Sequence, residues 1–231
     1  MKIIEVQVAN KDYDNKGYDF IQNLNKEKNE KRLRDKYKDI EAIEIDKKFK
    51  NTHYDKLQKI IDKTEEDLIH LTKKEFLNID SGLILTMSKA NLHHSLNHYR
   101  SEIKTNIHYE LEKLIMTSLF LGKDPPNEYR KDIIENTYKF INAAKIDNKQ
   151  FVVKLIALRY LKENGRISHY GIDQIEIEPV DTKHISTSDD ATGASPLSTT
   201  GSSPFVSTRT KISIDDLLYN VNKLEQKRKK L

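Results

Sequence analysis

The sequence contains no cysteine and no tryptophan, and it has only 7 glycines and 5 prolines among its 231 residues. Without cysteine the chain has neither disulfide bonds nor thiolate metal ligands, so we expect a reducing, cytoplasmic location. No apolar run reaches the roughly 18–20 residues that cross a membrane, and the first residues do not form a signal peptide. The scarcity of glycine also argues against the glycine-rich loops that hold nucleotide phosphates.

Charged residues are abundant and nearly balanced, with 40 Lys and Arg against 36 Asp and Glu, a net charge of +4. Such a balance does not by itself indicate a nucleic-acid-binding protein. Two segments, residues 26–38 and 223–230, are locally basic. They leave non-specific nucleic-acid binding open beside the simpler interpretation of solvated helix surfaces.

Hydrophobic periodicity predicts the elements of the first 78 residues. Residues 2–8 have the alternation of a short strand, residues 20–38 form a polar helix, and residues 39–46 fit a strand or a helix. Residues 52–71 have the apolar spacing of an amphipathic helix. Thr72 and Glu75 have the spacing of a capping box, which predicts a further short helix through residues 76 and 77.

From residue 79 the pattern becomes that of an α+β domain. The apolar run at residues 81–87 predicts a buried strand. Two helices are then predicted, one with an apolar stripe from Leu92 to Ile103 and one over residues 107–121. Three β-rich runs follow, at 138–146, 150–161 and 167–178, separated by the turn residues at 147–149 and 163–165. They predict an antiparallel meander.

The C-terminal quarter of the chain is predicted to be a linker followed by a helix. Residues 181–210 are rich in Ser and Thr and have too few apolar side chains to offset the entropy of ordering, which predicts a flexible linker. Ser213 then has the position of a helix N-cap, and Asp215 and Asp216 suit the first turn. An apolar stripe on this helix indicates docking, on this chain or on a partner protein: Leu217, Leu218, Val221 and Leu224.

The predicted fold class is thus α+β, with N-terminal helices packed on a three- to four-stranded antiparallel meander and a C-terminal helix after the linker. The predicted segments are an N-terminal strand and helical region at 1–78, the α+β domain at 79–180, the linker at 181–210, and the C-terminal helix at 211–231.

The histidines at 93–98 raise the question of a metal site. His94 and His98 are four residues apart, so a helix would place both rings on one side, where they could share a zinc ion. A zincin helix needs a glutamate after its first histidine, and Ser95 stands there instead. We therefore expect no metal and no other cofactor.

Metal-independent RNA cleavage is the second chemistry that the residues allow. It needs an acid and a base that titrate near neutral pH, and a cation that stabilises the phosphorane. Histidines on the two predicted helices and Lys154 on the meander supply these groups. Lys154 alternates with Val152 and Ile156, which predicts a lysine on a core-side face of the sheet. The alternative register buries Val153 and Leu155 and turns Lys154 to water.

The order of these pieces resembles the large polyvalent protein-associated domains of phages and mobile elements. The likeness runs over residues 79–219 and is carried by SGLILTMSKANLHHSLNHY, NIHYELEKLI, TYKFINAAKIDNKQFVVKLIALRYL, HYGIDQIEIEP and KISIDDLL. These families include modules of the barnase, EndoU, colicin and RelE-like nuclease fold. The resemblance implies helices packed on an antiparallel sheet, and a metal-independent RNase toxin-like activity.

The resemblance also implies which positions carry the activity. Ser88 and Lys89 resemble the family's polar pair after the first strand. His108 resembles its histidine at the opening of the second helix, Lys154 its strand lysine, and Tyr170 the tyrosine of its last strand. Where family members tend to carry Lys-Ser, this chain has His93, His94 and Ser95.

Two functions follow from the sequence. The first is a ribonuclease acting on RNA through His108, with Lys154, His94 and Tyr170 as further catalytic residues. The alternative is a non-catalytic module in which the C-terminal helix and the basic helices dock a partner protein or a nucleic acid.

Overall fold

The computed structural model describes residues 25–50, 53–98, 100–125, 134–161, 167–180 and 211–228. The strand predicted at 2–8, the turn predicted at 163–165 and the linker predicted at 181–210 lie outside these residues. In the described part of the chain no helix is long and apolar enough to cross a membrane.

The described helices and strands are as follows. Helix α1 covers residues 25–36, and the others are α2 (Tyr54–Leu68), α3 (Lys89–Asn97), α4 (Glu102–His108), α5 (Leu111–Thr117) and α6 (Ile214–Arg228), with a 3₁₀ turn at Ile69–Lys73. The strands are β1 (Asp39–Glu41), β2 (Ile43–Glu44), β3 (Glu75–Leu77), β4 (Ile84–Thr86), β5 (Leu119–Asp124), β6 (Ile134–Ile146), β7 (Lys149–Leu161), β8 (Ile167–Pro179) and β9 (Lys211–Ser213).

The predicted meander forms the centre of the sheet, because β6, β7 and β8 pair antiparallel in chain order. Asp147 and Asn148 connect β6 to β7 with φ of 47° and 63°. Positive φ at both positions is the geometry of a type I′ hairpin turn, which Asp and Asn tolerate better than most residues. The α+β class is therefore confirmed.

The sheet is larger than the sequence predicted. Its strand order is β2-β6-β7-β8-β4-β3, and β5 pairs with β6 beside this path. Strands β2 and β4 join the meander in parallel, on its two outer strands β6 and β8. The ambiguous segment at 39–46 is thus extended, with β1 pairing antiparallel to β9 and β2 entering the main sheet.

The helix predicted over residues 107–121 is wrong at both ends. Ile107 and His108 end α4, so His108 does not open the second helix, and α5 begins only at Leu111. Helix α5 ends at Thr117, and Leu119–Asp124 forms β5, which pairs antiparallel with β6. Leu119 and Leu121 are both buried and lie on one side of the strand. Apolar residues at this spacing fit a helix or a strand equally well. Backbone pairing with the edge of β6 stabilises the strand.

Two further helix predictions are also corrected. The capping box at Thr72 and Glu75 does not start a helix, because Glu75–Leu77 is strand β3 and pairs with β4. The stripe from Leu92 to Ile103 belongs to two helices, since α3 ends at Asn97 and the Ser101 side chain accepts the Lys104 N–H as the cap of α4. In the first case strand pairing overruled the local spacing, and in the second the local cap at Ser101 starts a new helix.

Side chains alternate across the sheet and form one hydrophobic core on each of its faces. Helices α2 to α5 cover the first face, where Ile107 and Leu111 join Val153 and Leu155 in one cluster. Helices α1 and α6 cover the second face, where Leu33, Leu217 and Val221 pack with Ile141 and Val152. The arrangement is a three-layer sandwich with the sheet in the middle.

The C-terminal helix packs on this chain. Leu217 and Val221 are fully buried, and Ser213 Oγ accepts the backbone N–H of Asp216 at 3.1 Å, as predicted for an N-cap. Helix α1 runs beside α6, with Arg34 paired to Asp215 and Lys26 paired to Glu225. Elements from both sides of the boundary predicted at residue 79 therefore share the two cores.

Candidate functional site

His108 lies at the end of α4 and is completely buried. Its Nδ1–H donates to the Lys104 carbonyl oxygen, one turn earlier, at 2.8 Å. A carbonyl can only accept, so Nε2 is left as an acceptor, and the Ser95 hydroxyl lies 3.0 Å from it. Burial lowers the pKa of His108 to about 3. The imidazole is therefore neutral near pH 7 and joins α3 to α4.

Lys154 lies on the second face of the sheet, which confirms that it shares a face with Val152 and not with Val153 or Leu155. It is 2% exposed. Its Nζ lies 2.9 Å from Glu225 Oε1 on α6 and 3.9 Å from Glu176 Oε2 on β8. A buried lysine needs such a counter-charge, because an unpaired ammonium group in the core is strongly destabilising.

Glu225 is the centre of an ionic cluster, which we define as Glu225 with Lys26, Lys139 and Lys154. Lys26 and Lys139 place their Nζ atoms 2.9 and 3.0 Å from the Glu225 carboxylate. Burial alone would raise the pKa of Glu225, but the charges of Lys154 and Lys139 hold it well below its usual range. Burial lowers the pKa of Lys154, although the carboxylates of Glu225 and Glu176 act in the opposite direction. The cluster fastens α6 to the sheet and to α1.

The other predicted histidines lie at the protein surface. His94 is exposed on α3, and its ring centroid is 5.3 Å from that of His98. His93 is also exposed and pairs with Glu65 of α2 at 2.7 Å. Among the described residues, no group of three or more His, Asp or Glu side chains is placed to hold a metal ion.

Tyr170 lies on the first face of the sheet, at its rim. Its ring packs edge-to-face on Tyr138 with centroids 5.2 Å apart, and the Arg159 guanidinium is 5.5 Å from the ring centroid. Burial raises the pKa of the Tyr170 hydroxyl, and the neighbouring Tyr138 adds to this. A hydroxyl of this kind is a weak proton donor at neutral pH.

Ser88 has a structural role that the family resemblance did not predict. Its side chain accepts the backbone N–H of Asn91 at 3.1 Å and so caps α3. The Asn91 side chain in turn donates to the Ile172 carbonyl of β8 at 2.7 Å. The polar residues after β4 thus dock α3 on the sheet, while Lys89 is exposed beside them.

The predicted catalytic residues occupy separate environments. His108 is enclosed between helices on the first face, Lys154 is paired with Glu225 on the second face, and His94 is exposed to solvent. The sheet separates the first two. Sequence reasoning did not predict Glu225 as the partner of Lys154, although a carboxylate within an otherwise apolar helix stripe was the available signal.

Comparison with known protein families gives a match. The family model of large polyvalent protein-associated domain 3 matches residues 55–170, which is half of the chain and runs from α2 into β8. No curated protein and no solved structure matches the chain. The segments that suggested the polyvalent-protein resemblance fall within the matched range up to the first residues of β8, whereas most of HYGIDQIEIEP and all of KISIDDLL lie beyond it. The chain therefore belongs to the large polyvalent protein-associated domain 3 family.

Proposed function

We propose that this polyvalent-protein-associated domain is a non-catalytic interaction module. The observation that carries the proposal is the separation of His108 from Lys154 by the sheet. General acid–base catalysis needs its acid, base and cation within hydrogen-bond reach of one substrate. Here both ring nitrogens of His108 already have partners, and Lys154 Nζ is held by Glu225.

The depressed pKa of His108 supports the same proposal. A histidine that acts as acid and base exchanges its proton near neutral pH, whereas burial sets the pKa of His108 to about 3. The ring is also completely buried, so a phosphodiester has no access to it without opening the contact between α3 and α4. Its bonds to Ser95 and Lys104 suit a structural role.

The pairing of the basic helices favours a protein over a nucleic acid as the partner. Helices α1 and α6 do lie side by side, which brings the two basic segments together. Many of their cations already have carboxylate partners, which leaves less charge for phosphates. These pairs are Lys26–Glu225, Arg32–Asp80, Arg34–Asp215, Lys36–Asp80 and Lys227–Glu178.

A cleavage assay tests the proposal against the ribonuclease hypothesis. The full chain is incubated with total RNA in EDTA, beside the variants His94→Ala and Lys154→Met. We expect no cleavage above the buffer control, because the four candidate residues do not share a site. Cleavage by the wild type that falls about tenfold or more in either variant would overturn the proposal and support the ribonuclease.

A further inference from the structure

A cavity of about 430 Å³ lies against the outer edge of β8, between α4 and α6. We call it the β8 slot. It reaches both faces of the sheet, since one wall comes from the first face and the other from the second. The residues that line it and enter the argument are Ile103, Lys104, Ile175, Ile177, Leu224 and Lys227.

The floor of the β8 slot is an open strand edge. Strand β4 covers the outer edge of β8 only at Tyr170 and Gly171, and no other strand of the described residues pairs with that edge. Next along this edge, the Asn91 side chain donates a hydrogen bond to the Ile172 carbonyl oxygen. Beyond this point no strand of the described residues lies beside Ile175 and Ile177, and Pro179, which has no N–H, ends the row of donors.

The register of β8 shows which backbone groups point into the slot. Val180 donates its N–H to the Gln150 carbonyl at 3.0 Å, so residues 180, 178 and 176 direct their backbone groups toward β7. Because the direction alternates along an antiparallel strand, Ile175 and Ile177 direct their N–H and C=O groups outward. These are the groups with which an added strand pairs.

The walls of the slot are largely apolar, and each charged side chain that lines it has a partner in the chain. Ile103 of α4 and Leu224 of α6 face the slot from opposite sides, above and below the strand edge. Lys227 pairs with Glu178, and Glu176 Oε2 lies 3.9 Å from Lys154 Nζ. The Lys104 ammonium donates to the backbone carbonyl of His98. A ligand that is complementary to these walls is therefore apolar and carries no charge inside the slot.

We propose that the β8 slot binds an extended, uncharged, apolar peptide segment of a partner protein, which adds to the sheet as a strand on β8. The inference rests on the proposed function and names the partner of that interaction module. Main-chain hydrogen bonds to Ile175 and Ile177 supply affinity, and alternate side chains enter between Ile103 and Leu224. At about 3.3 Å per residue the edge from Ile175 to Pro179 accommodates about five peptide residues.

The probe is a peptide selected from a displayed library of random peptides, with the full chain immobilised as the target. The enriched peptide is synthesised and titrated calorimetrically against the wild type, Ile103→Glu and Ile79→Glu. Ile79 is 70% exposed and lies outside the slot, so its variant is the matched control. We expect Ile103→Glu to weaken binding about tenfold or more and Ile79→Glu to leave it unchanged. Failure to enrich a peptide, or equal affinity for all three proteins, overturns the proposal.

A second measurement does not depend on the folding of a variant. N-methyl groups are placed on successive peptide amides, and only those that face β8 should abolish binding, with a period of two. In the protein, the amides of Ile175 and Ile177 should gain protection from hydrogen exchange on binding, while those of Glu176 and Glu178 already pair with β7. A uniform effect of N-methylation, or no protection at Ile175 and Ile177, overturns strand addition.

Each of the two proposals can be contradicted without the other. RNA cleavage that depends on His94 or Lys154 would contradict the non-catalytic function and leave the peptide result standing. A selection without an enriched peptide would contradict the slot and leave the cleavage result standing.

Discussion

The side chains of His108 and Lys154 lie on opposite faces of one β-sheet. Ile107, the neighbour of His108, packs in the same core as Val153 and Leu155, whereas Lys154 turns to the other face and meets Glu225. Each of the two residues is buried with its own partner, one inside the helical layer and one under α6. The pair that the resemblance suggested as catalytic therefore stabilises two different interfaces of the sandwich.

Replacement of His108 by glutamine should remove part of the acid sensitivity of the fold. The pKa of His108 is about 3 in the native state against 6.5 as its ordinary value, so below pH 6.5 only the unfolded chain takes up this proton. The free energy of unfolding of the wild type should then fall with decreasing pH, by up to ~1.4 kcal/mol per pH unit from this group. Urea unfolding between pH 7 and pH 4 measures the slope.

The His108→Gln variant should be less stable than the wild type at pH 7, because the packing and the Ser95 contact change, but its curve should be flatter. An unchanged pH slope in this variant would contradict the assignment of the acid sensitivity to His108. His94→Gln, which alters an exposed histidine of the neighbouring helix, is the matched control.

Removal of the Glu225 charge should be more damaging than removal of the Lys154 charge. Glu225→Gln leaves Lys154 buried without its main counter-charge, which costs about 3–5 kcal/mol. Lys154→Met leaves Glu225 with Lys26 and Lys139, so its cost should be smaller. In the double variant the two costs should not add, because the methionine needs no partner. Urea unfolding of the four proteins measures the coupling, and strict additivity would show that the two groups do not interact.

Asp80 should anchor α1 to the domain. Its carboxylate accepts hydrogen bonds from the side chains of Arg32, Lys36 and Tyr37 and from the backbone N–H of Phe120. Burial would raise the pKa of Asp80, but Arg32 and Lys36 hold it well below its usual range.

The Asp80→Asn variant should therefore lose about 1–3 kcal/mol and should exchange the amide hydrogens of α1 faster than those of α2. Thermal unfolding and hydrogen exchange test this. Asp35→Asn, at an exposed position of α1, should leave both unchanged.

The turn between β6 and β7 should respond to glycine and to valine in opposite directions. Asn148 has a φ of 63°, a conformation that glycine adopts without steric cost and that a β-branched residue avoids. We expect Asn148→Gly to leave the free energy of unfolding unchanged or raise it by up to about 1 kcal/mol, and Asn148→Val to lower it by at least about 1 kcal/mol. Equal stability of the two variants would contradict the type I′ turn.

The parts of the fold that the sequence predicted correctly are those with a local signal. Asp147 and Asn148 mark a turn through their own backbone preferences, and Ser213 marks a helix start through its own side chain. The strand β5 was missed because Leu119 and Leu121 fit two periodicities, and the free edge of β6 that selects one of them is distant in the chain. The capping-box spacing at Thr72 and Glu75 likewise yielded to the pairing of β3 with β4.

The same distinction between local signals and distant contacts applies to the candidate site. Alternation along β7 allowed two registers, and the structure selects the one that places Lys154 on a core-side face. Which group meets Lys154 there depended on α6, whose Glu225 is 71 residues away in the chain. Similarly, the spacing of the histidines could not show that His108 is enclosed by α3 while His94 on that same helix is exposed.

The sequence by itself determined the α+β class, the hairpin between β6 and β7, and the apolar stripe of the C-terminal helix, because each depends on neighbours within a few residues. Only the tertiary structure decided that α1 and α6 form a second layer, that Lys154 and His108 are separated by the sheet, and that β4 covers only a short part of the outer edge of β8. These depend on which distant segments cover each face and edge. Burial and long-range pairing, which local patterns do not encode, fix that choice.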